Sequence, residues 1–251
     1  MKRLHLIELG DLPGCPRFLR NGMTDYLETV VRLANPYQGI VPRLAAALER
    51  CQATHVLDLC SGPGGPWATL LLLFKDKKPE VLLTDFYPNP TGTALPYHPE
   101  PVDATKVPET LTGFRTLFAS FHHFRPEQAR AILADAVAKQ HGIAVFEGTA
   151  RTIPALLGML FIPLAVLLVT PQIRPVRLSR LFWTYVVPIL PLAILFDGIV
   201  SCLRTYTPSE LKKLTEGLES YIWEIGTLPV ARSPIPITYL IGLPKKDKRT
   251  S

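Results

Sequence analysis

Cysteine is scarce and scattered. The 251 residues hold four, Cys15, Cys51, Cys60 and Cys202, with no Cys-x-x-Cys pair and no accompanying histidine pattern. Neither a disulfide framework nor a zinc site is expected, and no constellation of metal ligands points to metal-assisted chemistry. Charge is also thin, at 19% of residues against 47% hydrophobic, which is apolar for a soluble enzyme. The start lacks the uninterrupted apolar run of a secretory signal, because Glu8 and Asp11 break it. The expected location is therefore cytoplasmic. A net charge of +6 favours an anionic surface nearby, phospholipid or nucleic acid, and part of it comes from the tail Lys245-Lys246-Asp247-Lys248-Arg249.

What is present centres on His55-Val56-Leu57-Asp58-Leu59-Cys60-Ser61-Gly62-Pro63-Gly64-Gly65. A short apolar run around Asp58 stops at a small-residue turn, and a helix-compatible run from Trp67 to Phe74 follows. Strand, glycine turn, helix lets a backbone approach a nucleotide closely, since glycine accepts positive φ and has no Cβ in the way. A second apolar run, Val81-Leu82-Leu83-Thr84-Asp85-Phe86, ends in a carboxylate 20 residues past Gly65. A carboxylate there can accept two hydrogen bonds from vicinal ribose hydroxyls.

The turn resembles motif I of the class I S-adenosylmethionine (SAM) methyltransferases, Asp/Glu-x-Gly-x-Gly-x-Gly, with Cys60 where the first glycine usually stands. The resemblance covers about residues 40–150 and 205–244. It implies an α/β fold: a seven-stranded, mostly parallel sheet with helices on both faces and an antiparallel last strand. It implies SAM as cofactor and S-adenosylhomocysteine as product. The cofactor residues it implies are Asp58, Cys60, Gly62, Gly64 and Gly65 at the turn, Asp85 and Phe86 at the ribose, and Asp103 and Ala104 at the adenine, the last two on a short third strand over Pro101–Thr105. Elements before the first strand often cover such pockets, which makes Tyr26 and Tyr37 candidates for its roof.

The fourth strand, Phe114 to Phe121, runs into Ser120-Phe121-His122-His123-Phe124. Carboxyl ends of strands carry the active sites of open α/β sheets. His122 and His123 are therefore candidate proton acceptors, with an ordinary pKa of about 6.5; in the family such a pair often only shapes the pocket. A helix opened by Pro126 and a fifth strand, Ile143–Glu147, follow.

The chain divides into a helical cap (1–52), a SAM-binding core (53–152), an apolar insertion (153–200) and the end of the core sheet with its basic tail (201–251). Within the insertion, Ile153–Thr170 and Leu181–Leu195 hold no charge, and Arg174, Arg177 and Arg180 lie between them with no acid. Pro154, Pro163, Pro188 and Pro191 oppose straight spans. A hairpin across the bilayer would also carry the arginines to the wrong side. The expectation is helices lying in the face of the membrane, with the arginines and Trp183 and Tyr185 at headgroup level. A buried subdomain or a dimer surface is the alternative. Asp197 and Arg204, on one helical face, are candidates for the substrate mouth or for a structural ion pair.

These readings converge on methylation of a hydrophobic or membrane-resident small molecule by a protein peripheral to the inner membrane face. RNA methylation is the second enzyme reading. It is disfavoured, with nucleic acid not the expected partner, because no basic–aromatic strip and no Asn/Asp-Pro-Pro-Tyr stretch occur. A non-catalytic, membrane-bound partner protein with the same fold is the third. Acceptor and oligomeric state are left open.

Overall fold

A computed structural model describes residues 1–75, 77–88, 93–231, 233 and 235–245. Its centre is a six-stranded sheet in the order β2-β1-β3-β4-β6-β5, with β1 His55–Asp58, β2 Glu80–Leu83, β3 Phe114–Phe118, β4 Ile143–Glu147, β5 Tyr221–Leu228 and β6 Ile237–Pro244. Strands β1 to β4 are parallel, and β6 inserts antiparallel between β4 and β5.

Alternation along the strands divides the core. Val56, Phe114, Ala144 and Phe146 face one way, against α2 (Val41–Arg50) and α3 (Trp67–Leu70). Leu57, Leu117, Ile143 and Val145 face the other, against α4 (Pro126–Ala138) and, at the end of the chain, α9 (Pro208–Leu214). Continuous burial of β3 and β4 fits parallel strands covered on both faces. Thr207 caps α9 by accepting from Glu210 N, and the Glu210 carboxylate accepts from Thr207 N at 2.9 Å.

The expected seventh strand is not formed. Pro101–Thr105 is a turn, in which Asp103 Oδ1 accepts from the Thr105 amide at 2.8 Å and its hydroxyl at 2.7 Å. Among the described residues, the edge beside β2 carries a single parallel bridge, Leu83 to Tyr97. Pro96, Pro99 and Pro101 supply no amide hydrogens, so the ladder cannot extend. The helix expected over Trp67–Phe74 is shorter, closing at Leu70. Asn89, Pro90 and Gly92 of the loop after Asp85, and the tail beyond Lys245, lie outside the described residues.

Between β4 and α9 run four helices: α5 (Ile153–Met159), α6 (Ile162–Val169), α7 (Leu178–Leu181, continued by a π turn to Val186) and α8 (Ile189–Arg204). Among the described residues no single helix is long and apolar enough to cross a membrane; two pairs, bent by 45° and 79°, are so by length and composition only. Pro163 sits in the first turn of α6 and Pro188 caps α8, which accounts for the breaks. This layer packs on α1 (Arg17–Ala34) through a third cluster of Leu19, Met23, Tyr26, Val166, Leu190 and Ile194. Its outer side exposes Leu157, Leu160, Phe161, Leu164, Leu168, Leu178 and Val186.

Candidate active site

The turn after β1 is built from the backbone outward. Cys60, Gly62, Gly64 and Gly65 all have positive φ, at 57°, 53°, 131° and 57°. Three glycines meet this demand without strain, whereas Cys60 meets it at a cost of about 1 kcal/mol. A Cβ on Gly62 would meet no protein atom within 4 Å, so the turn presents bare backbone to open space there, whereas one on Gly64 would meet Thr93 at 3.1 Å.

Asp58 is buried at the end of β1, where its carboxylate accepts from Thr116 Oγ1 at 2.6 Å and from Ser61 Oγ at 2.7 Å. Burial pushes its pKa up to about 6, with those two bonds pulling the other way. It is a structural acid holding the turn to β3. Asp85 lies in front of the turn. One of its oxygens accepts from Gly62 N and the other from Tyr87 N, both at 2.9 Å. Each carboxylate oxygen has a second lone pair left for a ligand hydroxyl. Tyr97 Oη donates to Gly62 O at 2.9 Å, which locks the turn from the far side. Burial raises the Cys60 thiol, and Asp85, Asp58 and Asp103 push it further. Phe86 is half exposed, edge-to-face with Tyr87, while Ala104 is buried in the core.

These residues fit SAM. The glycine backbone is open for the methionine end, Asp85 has acceptor capacity for ribose, and the acids set a negative field suited to a sulfonium.

The carboxyl ends of β3 and β4 hold a second group. His122 Nδ1 lies 2.6 Å from Glu147 Oε2, and its Nε2 lies 3.5 Å from Glu8 Oε1. His123 Nδ1 lies 3.1 Å from Asp11, and its Nε2 lies 3.7 Å from Glu8 Oε2. Arg204, buried at the end of α8, reaches Asp11 at 2.7 Å and Glu8 at 3.4 Å, and donates to the His122 and His123 carbonyls. Ser201 Oγ donates to Glu8 at 2.9 Å. Burial alone would lower the His122 pKa, but Glu147 and then Glu8 outweigh it and raise it to about 9. As the cluster stands, His122 keeps its proton at neutral pH and is not a free base.

Several candidates take other places. Tyr37 is buried edge-to-face on Phe118, with its hydroxyl over Gly148 and near Glu147, so it lies at the strand ends and not on a roof. Tyr26 packs in the helical layer. Asp197 accepts from Leu9 N at 2.7 Å and Gly10 N at 3.1 Å, pinning the N-terminal turn instead of facing a mouth. Arg204 pairs with Asp11 and Glu8, not with Asp197. Glu8, Asp11 and Tyr97 escape the sequence reading. The visible signal for the first two was only that they interrupt an apolar start.

No family profile and no curated protein sequence matches the chain. Solved structures do. The plantazolicin methyltransferase BpumL, solved with S-adenosylhomocysteine, aligns over 90% of both chains with a TM-score of 0.55 at 10% identity. NcsB1, an O-methyltransferase from neocarzinostatin biosynthesis solved with SAM and 2-hydroxy-5-methyl naphthoic acid, aligns over 91% of this chain and 59% of its own, with a TM-score of 0.51 at 14% identity. Likeness at this level of identity speaks to architecture, and the architecture agrees with the turn and sheet described above: the chain has the fold of the class I SAM-dependent methyltransferases.

Proposed function

We propose that this protein is a SAM-dependent methyltransferase acting on a hydrophobic small molecule that it meets at a membrane surface. The observation that carries the reading is the Asp85 carboxylate, hydrogen-bonded back to Gly62 N across an open, positive-φ turn. Bound there, SAM supplies an already reactive sulfonium methyl and leaves as S-adenosylhomocysteine. Gly62, Gly64 and Gly65 hold its methionine end, Asp85 the ribose and Asp103 the adenine edge, with Phe86 beside them. The chain's remaining task is to orient the acceptor in line with the methyl group and to exclude water.

Two observations support an apolar acceptor at a lipid surface. The turn between α5 and α6, α6 itself and the segment 176–186 expose Leu160, Phe161, Leu164, Leu168, Leu178 and Val186, a larger set than scattered surface residues explain. Arg174 and Arg177, the latter 3.9 Å from Asp25, are exposed on the segment that links these helices, and their charge suits headgroups. Arg180 is not available: it is buried, bonded to Asp25 and to the Ile173 and Pro175 carbonyls. The NcsB1 structure, with its bound naphthoic acid, is an example of this fold accommodating an aromatic small molecule beside SAM.

The test is SAM with a labelled methyl group, offered with membrane lipid extract, soluble metabolites or total RNA. Label in the lipid fraction, with flotation on anionic liposomes, is the expected result. Label in RNA overturns the acceptor class. Absence of SAM binding overturns the enzyme reading.

A further inference from the structure

We propose that Glu8, His122 and His123 form a binding site for one divalent transition-metal ion of the zinc class. Their ligand atoms lie within 4.8 Å of one another. The Glu8 oxygens stand 3.5 and 3.7 Å from the two Nε2 atoms. A tetrahedral ion with bonds of about 2.0–2.1 Å places its ligands about 3.4 Å apart, close to both Glu8–imidazole separations, and side-chain rotation would bring the remaining pair, within 4.8 Å, to that distance.

Two features separate the cluster from an ordinary ion-pair network. First, both imidazoles are held from behind by carboxylates. Glu147 takes His122 Nδ1 and Asp11 takes His123 Nδ1, which turns both Nε2 lone pairs toward Glu8. Carboxylate–histidine–metal relays are built this way, the rear carboxylate fixing tautomer and ring orientation. Second, His122 Nε2 is buried, and Glu8 Oε1 stands 3.5 Å from it, an ion-pair separation that is long for a hydrogen bond. A buried ring nitrogen aimed at a carboxylate without a bond is costly unless something sits between them. Three carboxylates, Glu8, Asp11 and Glu147, meet at the two rings, and a metal ion would take the place of the proton that His122 holds. Imidazole and carboxylate ligands suit zinc, iron and nickel better than calcium or magnesium.

Three protein ligands leave a tetrahedral ion one open position, at the carboxyl ends of β3 and β4. That position would take water or an acceptor oxygen. The ion would also tie the N-terminal segment, through Glu8, to the sheet. Metal binding is independent of the methyltransferase reading, since it is measured without SAM.

The test uses the full-length protein, stripped with chelator and titrated with Zn²⁺ and, as a spectroscopic probe, Co²⁺. One ion per chain and an intense visible Co²⁺ band of tetrahedral type are expected. E8Q and H123Q should lower Zn²⁺ affinity at least a hundredfold. D11N, at a partly exposed side chain that backs His123 and also takes the Arg204 guanidinium at 2.7 Å, should lower it about 10–100-fold. H55Q is the control, because His55 is exposed and pairs with Glu80 at the opposite ends of the strands; it should change nothing. Folded wild-type protein that takes up no stoichiometric metal overturns the proposal and makes the cluster a proton-bearing staple. Binding that survives E8Q, H123Q and D11N overturns it as adventitious.

Discussion

The two halves of the strand-end surface are built on opposite plans. Around the glycine turn, Asp58, Ser61, Gly62, Thr84 and Asp85 lie within 28 residues of one another and bond mostly among themselves. Around His122 the partners come from the two ends of the chain: Glu8 and Asp11 meet Arg204 across a separation of 193 residues for the latter pair. The first half is a motif, and the second is an assembly that exists only once α1, α8 and the sheet have packed. Sequence reading sees the first kind and is nearly blind to the second.

The sharpest way to break this contrast is Arg204→Ala. It would leave Glu8 and Asp11 without their buried cation, and losing one partner of a buried pair costs about 3–5 kcal/mol. Chemical denaturation should show that loss. A change below about 1 kcal/mol would mean the assembly is loosely held and the N-terminal segment contributes little.

Asp85→Ala should fall next, and entirely on the other half. Removing a charged acceptor of ligand hydroxyls costs about 1.5–3 kcal/mol, so calorimetry should find SAM binding weakened at least tenfold. Liposome flotation should be unaffected. Joint loss of both would show that the turn and the helical layer are one unit.

The same contrast explains which expectations failed. β1, β2, β4 and the closing antiparallel pair were legible because apolar runs end at clear breakers, as at Gly62 and Gly142. The third strand does not form, although an acid after Pro101-Val102 resembles a strand end in sequence, because Pro96, Pro99 and Pro101 withhold the amides that a ladder needs. Tyr26, Asp197 and Arg180 were misplaced for one shared reason. Each is used where the insertion meets α1 or the N-terminal turn: Tyr26 packs from α1 onto the insertion helices, Arg180 bonds Asp25 of α1 and Asp197 takes the amides of Leu9 and Gly10, and no periodicity in the sequence tells which helix will cover which. Glu147 stood at a strand end in plain view, yet its role depends on Glu8, which local pattern cannot supply.

Asp58 sharpens the comparison through pH. Its folded pKa is raised from 3.8 to about 6, so between those values the native state binds more protons than the unfolded one. Stability should therefore fall as pH rises from about 4 to 6, by an amount on the order of 2–3 kcal/mol from this group. Asp58→Asn should flatten that portion of the stability curve. A wild-type curve that rises through this window would show the carboxylate to be better solvated or bonded than its burial implies.

The helical layer offers a weaker effect on stability and a larger one on location. Phe161 and Leu164 are 71% and 56% exposed. Replacing both by Asp should change unfolding free energy by no more than about 0.5 kcal/mol per site, as at other free surface positions. Partition onto vesicles should drop at least tenfold, since each lost apolar contact with lipid is worth about 1.5–3 kcal/mol. Unchanged partition would assign the exposed face to something other than lipid.

The smallest effect lies at Cys60, and it isolates the one place where the turn departs from its glycine pattern. The residue sits at φ 57°, and its side chain packs partly against the second core cluster. Cys60→Ala keeps the strained backbone and loses the sulfur. Cys60→Gly loses the sulfur as well but relieves the strain, worth about 1 kcal/mol, against the greater freedom of glycine in the unfolded chain. The glycine variant should therefore be the more stable of the two by up to about 1 kcal/mol in paired denaturation curves, with wild type close to it. If alanine is the equal of glycine, the left-handed geometry at residue 60 carries no cost. The cysteine would then be tolerated there because the turn, held from both sides by Asp58 and Tyr97, leaves the backbone no cheaper alternative.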